Sequence, residues 1–133
     1  MTQNNTVSRS DINAAAARIL GHVNITPIMR SNAFGLPLQF KFEHTQITGS
    51  FKARGAFNSL LTADVPPAGI VAASGGNHGA AVACAAKTLG YDAHIFVPEF
   101  AGSAKIDVIR QAGATLHIVS GAYADAAAAA KAH

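Results

Sequence analysis

Two stretches bring chemically capable side chains close to glycines and helix starts. In "ITGSFKARGAF", residues 47–57, a single cation, Lys52, follows Phe51 where a Thr/Gly/Ser approach turns into an apolar helical run. The helix macrodipole disfavours positive charge in a first turn by about 0.3–1 kcal/mol, so structure alone would put a carboxylate there. Burial beside Phe51 would favour the uncharged amine, the form that attacks a carbonyl to make a Schiff base. Taken alone, the stretch has a simpler reading, a surface lysine with its ammonium in solvent.

The second stretch is "SGGNHG", residues 74–79. Its glycines let backbone approach a ligand, and free N–H groups at a helix start favour phosphate or carboxylate. It is not a nucleotide fingerprint. A GxGxxG match from Gly75 would need glycine at Asn77, one from Gly76 would need it at His78, and the chain lacks the Gly-Lys-Ser/Thr of a phosphate loop. Alone, a Gly-Gly pair before a helix is a plain tight turn.

The elements that must position these residues follow from periodicity and punctuation. Ser10 is the expected N-cap of the helix "DINAAAARIL", and Pro27 biases "TPIMRS" toward extended chain. In "LQFKFEH", Leu38, Phe40 and Phe42 alternate with Gln39, Lys41 and Glu43, a period of two that marks a strand. A helix over "SFKARGAFNSLLTAD", with Ser50 as N-cap, closes before Pro66 and Pro67.

Strand and helix then alternate. "GIVAAS", "DAHIFVP" and "TLHIVS" are strands, "NHGAAVACAAKTLG" and "SAKIDVIRQAG" are helices ending at Gly90 and Gly113, and "YADAAAAAKAH" starts another helix. Alternation of this length implies an α/β layer with a parallel sheet. Ligands bind outside the carboxyl ends of such strands. If the strand through Phe42 runs parallel to "GIVAAS", Lys52 and Asn77 share one sheet edge and one crevice.

In order and at this spacing, "TGSFKARGAFN" and "SGGNHGAAVACAAKTLG" resemble the pyridoxal-phosphate (PLP) enzymes of fold type II, most closely the serine/threonine dehydratase and serine racemase group. The resemblance runs from "TPIMRS" through "VPEFAGSAKIDVIRQAGA". It implies the parallel-sheet smaller domain of a tryptophan synthase β-like fold, truncated. Residues 1–133 would be the N-terminal part of a dehydratase domain, with the smaller subdomain starting near Leu38.

By the same resemblance Lys52 bonds PLP as a Schiff base, Phe51 packs near the cofactor, and Asn77 hydrogen-bonds its ring hydroxyl. Ser74, Gly75, Gly76, Asn77 and His78 hold the substrate carboxylate. Lys52, once released, removes the α-proton, the β-hydroxyl leaves, and a 2-oxo acid and ammonia result. The substrate is a small amino acid, L-threonine or L-serine, and the full-length protein is a homo-oligomer. Ala53 and His78 stand where cysteine and threonine synthases usually carry an acidic residue and Thr, which points to the dehydratase and racemase group. Racemases of that family use a serine where this chain has Gly75, so elimination is favoured over racemisation.

The family's glycine-rich phosphate loop and its hydroxyl or thiol beside the pyridine nitrogen lie beyond the equivalent of His133. The expectation is therefore a fragment that binds PLP weakly, turns over little, and exposes an apolar face meant for the larger domain. Alternatives are a serine racemase, a dehydratase of another β-hydroxy amino acid, or a non-catalytic remnant.

Composition supports a piece of a larger protein: 13% of the 133 residues are charged and half are hydrophobic. The net charge of +3 comes from cations spread singly, without aromatic interleaving, which argues against a nucleic-acid footprint. The polar start lacks a signal peptide's apolar core and no apolar stretch is long enough to span a bilayer, so a cytoplasmic location is expected. Cys84, the single cysteine, reads as a small buried side chain, and Arg54 as an ion-pair partner of Glu43. The six histidines show no metal-ligand spacing, and no metal is expected.

Overall fold

The computed structural model describes residues 6–133; residues 1–5 of the polar start lie outside them. The first helix, α1 (Arg9–Arg18), is capped by Ser8 rather than Ser10. Asp11 explains the difference. Its backbone N–H donates to Ser8 Oγ at 3.2 Å and its carboxylate accepts from the Ser8 N–H at 2.8 Å, a reciprocal box that Ser10, three residues before Asn13, lacks the carboxylate to make. An Arg18 to Asn58 hydrogen bond ties α1 to the helix that bears Lys52.

Strands β1 (Ile28–Ser31) and β2 (Leu38–Lys41) form a separate antiparallel hairpin, with Ile28 opposite Lys41 and Ser31 opposite Leu38. The strand expected in the parallel sheet is therefore not part of it. Six residues, 32–37, separate the two strands, which is enough for a hairpin and far too few for a parallel crossover. Phe34 and Gly35 make the turn in the left-handed region, at φ 64° and 70°.

The parallel sheet is made of β3 (Ile70–Ala73), β4 (Ala93–Pro98) and β5 (Thr115–Val119), in that order. The helix α2 (Lys52–Leu60) precedes β3, α3 (Asn77–Leu89) and α4 (Ser103–Gln111) connect the strands, and α5 (Tyr123–Ala132) follows β5. Gly90 caps α3 at φ 79°, as expected, whereas α4 ends at Ala112 and Gly113 takes the left-handed position one residue on.

Alternation along β4 sorts the two faces. Ile95 and Val97 enter a core with Phe57 of α2, Ala81 and Ala85 of α3, and Ile109 of α4. His94 and Phe96 have the opposite orientation, toward α5, which packs on β3 and β4. The inward surface of α3 is built almost entirely of small residues, so it sits close to sheet and α2 alike. Cys84 on this helix is half-buried, less enclosed than expected. Ile25, Phe34, Phe51, Phe100, Ile118 and Tyr123 leave large apolar side chains in solvent.

Candidate active site

Lys52 is the first residue of α2, and a polar clamp sets where that helix starts. Arg54, two residues on, grips Glu43 with two hydrogen bonds, Nη2 to Oε1 at 2.8 Å and Nε to Oε2 at 2.9 Å. This is the ion pair expected from sequence. Thr26 Oγ1, buried, donates to the same carboxylate at 2.6 Å, and Lys41 Nζ donates to the Thr26 carbonyl at 2.6 Å. Gln46, also buried, accepts from the Asn24 and Ile47 N–H groups at 2.8 and 3.0 Å. The loop before Lys52 is thus pinned to the hairpin side of the molecule through groups that are all paired.

The clamp titrates. The Arg54 guanidinium holds the Glu43 carboxyl at about 2, against 4.5 for the ordinary side chain. Because the folded value is the lower one, the stabilisation is complete above the unfolded value and is lost as pH falls toward 2. Discounted for partial exposure, we expect Glu43→Gln to cost about 1–2 kcal/mol at pH 7, in a urea midpoint. The gap between parent and variant should close between pH 5 and 2; a gap unchanged at pH 3 would show that the pair does not act this way.

Ser50, expected as the N-cap, stands one position too early. Gly49 turns at φ 71°, Phe51 already has helical angles, and Ser50 Oγ accepts only a long 3.4 Å bond from the Lys52 N–H. Phe51 occupies the cap position and no side chain caps the helix. Lys52 is exposed, with Nζ 5.4 Å from the Phe51 ring centroid, and Phe51 itself is 60% exposed. The burial expected for this amine is not supplied by the residues of this chain. Among the described residues Lys52 makes no salt bridge.

The loop after β3 divides its side chains. Ser74 extends the ladder, its N–H donating to the Phe96 carbonyl at 2.9 Å, and its largely buried hydroxyl accepts from the Gly76 N–H at 3.3 Å. Its side chain therefore shapes the turn. Gly75 is required by packing: a Cβ there would stand 2.7 Å from the Ala101 Cβ and 3.3 Å from Val97 Cγ1. Gly76 caps α3 without a side chain, and exposed Asn77 and His78 form the first turn. Neither α2 nor α3 has an acid in its first turn, so both amino ends keep their partial positive charge.

Two clefts meet at these helix ends. One, of about 430 Å³, is lined by Phe51, Lys52, Ala72, His78 and Val82 among others. The other, of about 280 Å³, is lined by Thr48, Gly49, Gly76, Asn77 and Val108 among others. Lys52 and Phe51 thus share a cleft with His78, while Asn77 and Gly76 open onto the neighbouring one. The single crevice expected from a shared sheet edge is replaced by this adjoining pair, because the strand before Lys52 belongs to the hairpin.

Thr48 is a site residue that sequence reasoning misses. Its Oγ1 is buried and has no hydrogen-bond partner among the described residues. The only sign in the sequence is its place in the Thr-Gly-Ser approach, where the Gly49 turn leaves a hydroxyl facing the second cleft.

Residues 19–133 match the family described as pyridoxal-phosphate dependent enzyme. The catabolic L-threonine dehydratase of Staphylococcus aureus is 42% identical over 115 residues, 81% of this chain and 33% of that protein. Serine racemase of Oryza sativa subsp. indica is 42% identical over 114 residues, 81% of this chain and 33% of that protein. The crystal structure of serine racemase from Dictyostelium discoideum superposes with a TM-score of 0.82 at 32% identity, over 95% of this chain and 43% of that one. A crystal structure of a bacterial-type threonine deaminase, from T.th., superposes with a TM-score of 0.84 at 36% identity, over 95% of this chain and 41% of that one. The chain spans 33–40% of the length of the curated relatives it matches. No helix among the described residues is long and apolar enough to cross a membrane. With its parallel sheet, its lysine helix and its glycine loop all inside the matched region, the chain belongs to the PLP-dependent enzymes of fold type II.

Proposed function

We propose that this chain is the lysine-bearing part of a PLP-dependent ammonia-lyase that converts L-threonine or L-serine to 2-oxobutyrate or pyruvate and ammonia. One observation carries the reading: the Lys52 amine and the uncapped amino end of α3 frame adjoining clefts. The donor set fits the cofactor. It offers one unpaired amine, the buried and unpartnered Thr48 hydroxyl, and two helix amino ends free of acids. Lys52 would hold PLP covalently, Phe51 would pack beside it and Asn77 would bond its ring hydroxyl. Bound there, the cofactor supplies an electron sink for the substrate's α-carbon.

The remaining work falls to the chain. The N–H groups at Gly76, Asn77 and His78 donate to the substrate carboxylate, where the helix dipole favours an anion. Lys52 Nζ takes the proton from the substrate Cα. The β-hydroxyl leaves as water, and a water is regained when the product is released as keto acid and ammonia. Gly75 supports elimination over racemisation, since the Ala101 contact leaves no room for a proton-donating side chain there. Residues from about 38 to 133 form the smaller subdomain in this reading, and the exposed apolar side chains suit cover by the remainder of the protein and by a second subunit.

The test places these residues in one polypeptide with the phosphate-holding half of a threonine dehydratase. L-Threonine should give 2-oxobutyrate or L-serine pyruvate, with D-serine below about a tenth of the keto acid. D-Serine as the main product would assign a racemase instead, and absence of both products would sink the reading.

A further inference from the structure

Three histidines with no motif spacing converge on the face of the sheet opposite the main core. His94 lies near the amino end of β4, and His117 lies on β5 opposite Phe96. Both point toward α5, whose end brings in His133. One ligand nitrogen from each of the three lies within 4.8 Å of the others. His94 Nδ1 and His117 Nε2 are 3.0 Å apart, sharing one proton in a hydrogen bond. Phe96 stacks on His117 with ring centroids 4.4 Å apart and planes 8° from parallel, fixing that imidazole from its far side.

We propose that His94, His117 and His133 form a three-imidazole site for a divalent first-row transition metal ion of the Zn²⁺ type. A tetrahedral ion with bonds of about 2.0–2.1 Å holds its ligand nitrogens about 3.3 Å apart. The His94 and His117 pair therefore opens by only about 0.3 Å, losing its shared proton to a metal bond. The exposed His133, at a helix end, has room to swing in as the third ligand. Two ligands ride on adjacent strands locked by the β4–β5 ladder, so most of the site is ordered before the ion arrives.

The donor chemistry selects the ion. Three imidazoles without thiolate or carboxylate suit Zn²⁺, Ni²⁺ or Cu²⁺ rather than Ca²⁺ or Mg²⁺, and a water completes the shell. Burial first, then the neighbouring His94 and His133, push His117 below the ordinary histidine value, so it is in the neutral, ligating form at pH 7. None of the three lines the clefts beside Lys52. The site is thus independent of the dehydratase reading. What it adds is a cross-link from the end of α5 to the two strands.

The test uses the 133-residue chain, stripped with chelator and free of PLP, which itself binds metals. Zn²⁺ titrated in a calorimeter should bind one per chain, and Co²⁺ should show the visible bands of a low-coordinate nitrogen site. His117→Phe keeps the stack on Phe96, and His133→Ala changes only an exposed side chain. Each should weaken Zn²⁺ at least tenfold and abolish the Zn²⁺-induced rise in thermal midpoint, while His44→Ala leaves both unchanged. A parent chain that takes up no stoichiometric Zn²⁺, or a His133→Ala variant that binds within threefold of it, overturns the site.

Discussion

Lys52→Ala is expected to remove PLP from the protein without unfolding it. The parent, mixed with PLP and reduced with borohydride, should carry one phosphopyridoxyl group, mapped to the peptide containing Lys52; the variant should carry none. In a polypeptide completed with the phosphate-holding half, keto acid formation should fall by at least about 10³-fold, since carrier and base are lost together. Stability should stay within about 0.5 kcal/mol, because Lys52 is exposed and without a salt bridge among the described residues. Attachment at Lys41 or Lys87 with turnover unchanged would remove Lys52 from its role. Exposure makes the position of this amine at the mouth of a cleft, more than its surroundings, the feature to be tested.

Gly79→Ala is expected to have the largest effect on stability. A Cβ at this position would sit 2.6 Å from the Ser74 carbonyl oxygen, 3.0 Å from Ile109 Cδ1 and 3.1 Å from Ile95 Cγ2. The isoleucines can yield a little, but the carbonyl belongs to the backbone that leads into the glycine loop. Alanine favours helix over glycine by roughly 1 kcal/mol, so a net loss would expose the steric cost directly. We expect that net loss to be about 3 kcal/mol, read as a lowered urea midpoint with an unchanged slope. The shifted loop should also weaken substrate binding more than it slows turnover. An equal or raised midpoint would show that α3 does not approach β3 this closely.

Local rules suffice where partners are close in sequence. From Ile70 onward, short apolar runs and helices ended by Gly90 and Gly113 mark each element, since each is set by its own residues. Lys52 and the 74–79 loop are legible as a pair because both kinds of residue are unusual at helix starts. The hairpin misleads because alternation along β2 says which side chains share a face, and nothing about which strand is the neighbour. The family resemblance gives Ser74 and Gly75 to the substrate, yet one shapes the turn and the other meets Ala101, contacts that arise only after chain reversal. The histidine cluster is invisible in the sequence for the same reason: His94 and His117 are 23 residues apart and become neighbours through strand register.

The inner surface of α3 consists of Gly79, Ala80, Ala81, Val82, Ala83, Ala85 and Ala86. Such a surface responds to change in one direction only. There is almost nothing to truncate, so the cavity-forming losses that dominate most cores hardly apply, while each added methyl group pushes on backbone. Variation tolerated near this site should therefore collect at Phe51, Asn77 and His78, whose side chains reach solvent, and new specificity would have to be built from those edges rather than by resizing the interior.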